Sequence, residues 1–182
     1  MITNFSASES VLIRAIQKAR LSWDREEQSD SVISLGPKDK GLAMRLLKAG
    51  GSHSAALRQA VVWFDLTATR GLWQHIAKYR AGVEMYSQSI QHTGLSHEYK
   101  ASDFRGYIPE EVLTTLNKFA EAKDLENLTN LMPEGYLQRR SMMMSYPAMR
   151  AIYKDRIHHR KAEWKELLAE LVAVVPYPEL IV

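Results

Sequence analysis

The sequence contains no cysteine among its 182 residues. That excludes disulfides, thiolate metal sites and a cysteine nucleophile. Long apolar runs are also missing. None approaches the roughly 20 residues that a membrane-spanning helix needs, and the longest such stretch, Leu167 to Val175, is interrupted by Glu170. The opening residues MITNFSASES lack a basic segment followed by an apolar one, so no leader is expected and a cytosolic protein is. No phosphate-binding glycine loop, dinucleotide fingerprint or serine nucleophile elbow is present. There is no internal repeat and no low-complexity segment. Neither charge sign dominates: 24 Lys and Arg face 21 Asp and Glu, a net charge of +3. The pI near 9.1 suits an enzyme of anionic substrates as well as a weak nucleic-acid binder.

What is present is ordinary for a globular chain, with 46% hydrophobic and 25% charged residues, and a single domain over residues 1–182 is expected. Val11, Leu12, Ala15, Ile16, Ala19 and Trp23 recur at helical spacing and predict a helix from Ser8 to about Trp23. The polar run DREEQSDS reads as a surface loop. Gly36-Pro37 opens a helix that closes at Gly50-Gly51. AVVWFDLT, residues 60–67, is β-branched and aromatic and predicts a strand; QRRSMMMSY, residues 138–146, predicts a second. Helical spacing returns at Leu72, Trp73, Ile76 and Ala77. Pro109-Glu110-Glu111 starts another helix, and one runs from Pro147 to about His158. A last helix carries Trp164, Leu167, Leu168, Leu171, Val172 and Val175 and stops before Pro176. The sum is an α+β fold: an antiparallel sheet with flanking helices.

Four segments carry the residues able to do chemistry. Gly51-Ser52-His53-Ser54 lies in a loop between helix and strand, where ligands are often held, although a lone loop histidine also reads as solvated. Gln74 to Arg80 is followed by Ser87, Ser89 and His92. Lys78, Arg80 and the two hydroxyls can grip a phosphate, and the same basic helix end also complements a helix dipole. Gln138-Arg139-Arg140 leads into three methionines that read as core packing. Arg156, His158, His159, Arg160 and Trp164 form the fourth. Adjacent histidines do not share a helix face and no nearby carboxylate completes a ligand set, so a metal is not expected.

In their order these segments resemble the flavin-dependent thymidylate synthases, and more closely a divergent branch common in bacteriophage genomes. The resemblance rests on SHSAALRQ (Ser52–Gln59), the Trp-rich helix running into Tyr79-Arg80-Ala81-Gly82, Ser87-x-Ser-x-x-His92, and LMPEGYLQRR…IYKDRIHHRKAEW…VPYPELI between Leu131 and Ile181. It covers about residues 38 to 182. It implies an FAD cofactor bordered by His53 and Ser54, contacted by Lys78, Tyr79 and Arg80, and met by Ser145 and Tyr146 of a neighbouring subunit. It implies a nucleotide site with His75, Ser87, Ser89, His92 and Arg139. Arg156 takes the catalytic position, touching and polarising the pyrimidine. The implied reaction is reductive methylation of dUMP to dTMP with methylenetetrahydrofolate and NADPH as co-substrates, in a homotetramer, in the host cytoplasm if the gene is a phage's.

The chain departs from the family's pattern at two places. Lys78-Tyr79-Arg80 stands where the family has Arg-His-Arg, and the Ser-x-Arg that follows is replaced by Ser87-Gln88-Ser89-Ile90-Gln91-His92. Lysine does not reproduce a bidentate arginine contact. Two other readings therefore stand beside the first. One is a related pyrimidine-nucleotide enzyme acting on dCMP or leaving a hydroxymethyl group. The other is a non-catalytic binder of nucleotide or nucleic acid.

Overall fold

The computed structural model describes residues 1–182. Four strands, β1 (Ile2–Ala7), β2 (Val61–Thr69), β3 (Val83–Ser87) and β4 (Leu137–Ser145), form one sheet in the order β1-β2-β4-β3. Helices α1 (Glu9–Lys18), α2 (Pro37–Ala49), α3 (Arg70–Ile76), α4 (Ile90–Thr93), α5 (Glu110–Glu121), α6 (Leu125–Leu131), α7 (Tyr146–Arg156) and α8 (Ala162–Val174) complete the α+β architecture. No helix is long and apolar enough to cross a membrane.

Backbone bonds fix the register of the central strand on both sides. Tyr146 N donates to Ala60 O and Arg70 N to Tyr136 O, so β2 and β4 run antiparallel. Ser145 N donates to Gly82 O and Gln88 N to Arg139 O, so β3 and β4 do too. Side chains then alternate between faces. On β4, Gln138, Met142 and Met144 are buried while Arg139 and Ser141 are exposed. On β2, Val62, Phe64, Leu66 and Ala68 are buried, whereas Trp63 is 49% exposed.

The chain divides into two compact units. The first comprises Met1–Asp65, Tyr79–Met85 and Met142–Val182. Its core is apolar side chains from α1, α2, α7 and α8 packed with Val62, Phe64, Met142 and Met144. Trp164 is fully buried there. Its most deeply buried carboxylate is Asp39, which accepts from Arg20 Nε at 3.0 Å and from Ser29 Oγ at 2.6 Å. Asp30 receives the backbone N–H groups of Lys38 (2.8 Å) and Asp39 (3.0 Å) and so caps the start of α2. The second unit comprises Leu66–Lys78 and Tyr86–Ser141. It is built around Tyr99, Phe104, Leu113, Leu116, Leu128 and Tyr136. The Tyr99 hydroxyl donates to Gly94 O at 3.1 Å, and burial pushes this phenol up to about 12.

The expected helices and both expected strands form, with differences at their ends and four additions. The first helix stops at Lys18 rather than near Trp23, and Leu21–Trp23 make a separate 3-10 turn. Arg20 is drawn inward to Asp39 while Trp23 stays 75% exposed, so helical spacing there did not mark a packed face. The strands β1 (ITNFSA) and β3 (VEMYS) and the helices α4 and α6 are added. Each strand is too short for an alternating pattern to stand out in the sequence, and cross-strand pairing holds it.

Asp39→Ala leaves the inward-turned Arg20 without its carboxylate. The expected loss is about 3–5 kcal/mol of folding stability. Urea denaturation of the variant beside the parent measures it; a loss under about 1 kcal/mol would show that the pair is not needed.

Candidate functional site

The loop after α2 is shaped by two glycines. Gly50 (φ +67) and Gly51 (φ +55) both adopt the left-handed region, with open space where a Cβ would stand. The chain then turns tightly, His53 N donating to Gly50 O at 3.1 Å and Ser54 Oγ to Gly51 O at 3.2 Å. As a result consecutive residues face different cavities. His53 is exposed and lines a cavity of about 570 Å³ with Lys18, Arg20, Trp23 and Arg25. Ser54 is buried and lines one of about 330 Å³ with Arg58, Arg150, Lys154 and the first turns of α7.

Both cavities are cationic. In the first, Lys18 is paired with Glu26 and Arg20 with Asp39, so Arg25 and His53 remain for a ligand. The second has no carboxylate in its wall. Arg150 is 92% buried, since 8% of it is exposed; its Nη1 donates to Leu180 O at 3.2 Å and also to Val182 O, and its Nε has no partner. A buried N–H left without an acceptor is costly. Here it stands beside the first turn of α7, where the helix dipole favours an anion, while Ser145 and Tyr146 already donate their N–H groups to Gly82 and Ala60 and Pro147 carries none.

Arg156, at the last turn of α7, forms a second cluster. Its Nε donates to Tyr79 Oη at 2.8 Å, and that hydroxyl donates to Asp155 Oδ2 at 3.1 Å. The guanidinium carbon lies 5.4 Å from the centre of the Tyr79 ring and 5.3 Å from that of Trp164. Burial pushes the Tyr79 phenol above its ordinary value, against the pull of Arg156, so it keeps its proton. His159 lies edge-on to Trp164 at 6.4 Å. Desolvation, then the charges of Arg156, Arg160 and Lys161, lowers its pKa.

The third group lies in the second unit. Gln138 Nε2 donates to Gln88 O at 2.7 Å, which ties the Ser87-Gln88-Ser89 segment to β4. The Gln88–Arg139 pairing places Ser87 opposite Arg140, on the same face. Arg140 is half-buried and stacks on Trp73, with its carbon 4.6 Å from the ring centre, and its Nη2 donates to Gln138 Oε1 at 3.0 Å. Burial lowers its pKa. Arg139 points to the opposite, exposed face. The sequence offers Arg139 and Arg140 together as basic residues, with Arg139 taken for the nucleotide site. The parity of the buried Met142 and Met144 puts 140 on their face and 139 on the other.

The remaining expected residues are placed separately. Lys78 and Arg80 are exposed just beyond α3, and His75 is partly exposed in its last turn. Ser89 precedes α4 and accepts Thr93 Oγ1 at 2.9 Å through its carbonyl; His92 is exposed on that helix. Tyr146 is buried, its hydroxyl committed to Pro176 O at 2.6 Å and its pKa raised by burial. Ser145 is fully buried and its Oγ has no partner; a Cβ placed on Gly82 (φ +75) would lie 2.2 Å from it.

No protein-family model matches the chain, and no curated protein does. Solved structures do. The chain is similar to the flavin-dependent thymidylate synthase ThyX of Helicobacter pylori in complex with FAD and dUMP, with a TM-score of 0.78 and 19% identity over 100% of this chain and 96% of that one. A second structure of that enzyme with FAD and dUMP gives 0.75 and 18% over the same shares. The UMP/dUMP methylase PolB of Streptomyces cacaoi, bound with 5-Br dUMP, gives 0.64 and 13% over 94% of this chain and 87% of that one. The fold is thus that of the flavin-dependent thymidylate synthases, as the sequence motifs imply.

Gly82→Ala forces a left-handed alanine, at about 1–2 kcal/mol, against the Ser145 hydroxyl. Its melting temperature should fall, and adding Ser145→Ala should recover part of the loss by removing the clashing atom. Thermal unfolding of the two single variants and the double variant tests this; strictly additive effects would show no contact between the two positions.

Proposed function

We propose that this protein is a flavin-dependent enzyme of pyrimidine deoxynucleotides, transferring a one-carbon unit to dUMP. The observation that carries the reading is the Gly50–Ser54 loop, whose neighbouring residues His53 and Ser54 line two cationic cavities of one unit. An elongated, doubly anionic dinucleotide such as FAD suits that arrangement. The donor set fits it: Arg58, Lys154, the partnerless Nε of Arg150 and the N-terminus of α7 complement a pyrophosphate, and Trp23 and His53 offer surfaces to a planar ring. Bound there, a reduced flavin supplies the hydride for the reaction.

The protein's own part is positioning and charge stabilisation. Arg156 presents a planar guanidinium fork, and neither of its terminal nitrogens is taken by a protein acceptor. Set against a uracil carbonyl, that fork favours the enolate-like charge that develops as carbon 5 attacks the one-carbon unit. In the overall reaction methylenetetrahydrofolate gives the carbon, NADPH the reducing electrons, and dUMP leaves as dTMP. The nucleotide phosphate is assigned to Ser87, Ser89 and Arg140, with His75 and His92 nearby in sequence. Strand parity favours Arg140 over Arg139. Lys78, Arg80, Ser145 and Tyr146 keep the cofactor roles that the family resemblance implies. The half-exposed Trp63 on β2 and, in the other unit, the 84%-exposed Tyr86 on β3 are each aromatic side chains of the kind that contacts between copies of a chain cover, in line with a homotetramer.

A change of pyrimidine is the second reading. The replacement of Arg-His-Arg by Lys78-Tyr79-Arg80 and the fold shared with a UMP/dUMP methylase favour testing UMP and dCMP beside dUMP.

Added FAD should give a bound-flavin absorbance spectrum between 300 and 550 nm that shifts again on adding dUMP. Arg156→Ala should keep the fold and the flavin but lose turnover. No flavin binding by the parent, or normal turnover in the variant, would reject the proposal. For the phosphate site, Arg140→Met should weaken dUMP binding at least about tenfold, as loss of a charge-assisted contact requires. Arg139→Met should change it less than about threefold. Calorimetry of both variants decides between the two arginines.

A further inference from the structure

We propose that Tyr79, anchored by Asp155, is the positioning residue that presents the terminal nitrogens of Arg156 to the substrate. This rests on the reading of Arg156 as the residue facing the pyrimidine. It concerns two side chains that the altered motif places together in this chain.

The argument begins with what a carboxylate does to a neighbouring arginine. Asp155 precedes Arg156 in sequence, and a direct pair between them would occupy the guanidinium fork and screen its charge. The structure has no such pair. The phenol stands between them: Tyr79 Oη accepts from Arg156 Nε and donates its own proton to Asp155. A phenol oxygen can do both at once. The carboxylate is thus kept one hydrogen bond away, and the contact to Arg156 uses Nε, the donor that a substrate fork needs least. The flat faces of Tyr79 and Trp164, at 5.4 and 5.3 Å, restrict the guanidinium from both rings. Trp164 is fully buried, so this support is rigid. A cation held at one edge and by two rings, with its other edge free, is preorganised for a planar oxygen acceptor.

Removing the hydroxyl by Tyr79→Phe keeps the ring and frees Arg156 to turn onto Asp155. Three measurements on the full chain test the assignment. With 15N-arginine labelling, the Nε–H signal of Arg156, identified by its loss in Arg156→Lys, should shift and exchange faster in Tyr79→Phe. Turnover of dUMP should fall about ten- to hundredfold in kcat, with flavin affinity and melting temperature unchanged. Adding Asp155→Asn to Tyr79→Phe should restore part of kcat, because the carboxylate that captures Arg156 is gone. An unmoved Nε–H signal in Tyr79→Phe would overturn the proposal whatever the activity. So would a shifted signal with unchanged kcat, or a loss confined to flavin affinity, which would make Tyr79 a cofactor contact instead. A parent protein that neither binds nor turns over a pyrimidine nucleotide would reject the function reading, while the signal arm still decides whether Tyr79 holds Arg156.

Discussion

Strand β4 is the constraint on which the rest depends. It is bonded on one side to β2 and on the other to β3, and it passes without a break into α7. Because both its edges are paired, its register cannot slip by one residue without turning every side chain to the other face. That register puts Met142 and Met144 in the core and holds Ser145 against Gly82. The phase carried into α7 then brings Arg150 to the wall of the smaller cavity and Arg156 to Tyr79. The arginines with the clearest chemical prospects, Arg140, Arg150 and Arg156, thus lie on one continuous strand-to-helix segment.

Much of this was readable in advance, for an identifiable reason. Segments whose apolar side chains repeat with a single period announce themselves: the stripe Trp164, Leu167, Leu168 and Leu171 is buried throughout, and β2 and β4 fall within two residues of their expected bounds. Elements held by backbone pairing or local capping do not. β1 has Ile2 and Phe5 as its only large apolar residues, and β3 is five residues long. For the candidate site, residue types and order nominate His53, Ser54, Tyr79 and Arg156, and the fold sets His53 and Ser54 on two cavities and Tyr79 against Arg156. The distinction between Arg139 and Arg140 needed the strand's parity, and Arg150 sat inside a helix where nothing in its neighbours hinted at a ligand. The partnership of Tyr79 with Arg156, 77 positions apart, has no sequence signal of its own; only the tertiary fold brings phenol and guanidinium together.

The treatment of charge separates structure from function. Arg20 and Asp39 are turned inward and satisfy each other, with Ser29 completing the carboxylate. That is how a buried ion pair is kept when its purpose is to hold a loop in place. Arg150 and Arg156 are handled differently. Each is fixed by part of its guanidinium, Arg150 by the carbonyls of Leu180 and Val182 and Arg156 by the Tyr79 hydroxyl, and each retains nitrogen donors without a protein acceptor. Folding alone gives no reason to bury Arg150 Nε without a partner, because an apolar side chain of similar length would pack there at lower cost. The acceptor it lacks is of the kind that an anion carries.

Tyr79 holds Arg156 by a phenol oxygen, and burial raises the pKa of that phenol above its ordinary value. Lys78 and Arg80 on either side remain exposed point charges, suited to attracting an anion rather than to fixing its orientation. Arg156, between the Tyr79 and Trp164 rings, and Arg140, stacked on Trp73, are instead held by the fold, each within its own unit. Rings restrict the directions in which a guanidinium can turn, a restraint that an exposed cation lacks, so the exposed positions contribute mainly long-range attraction.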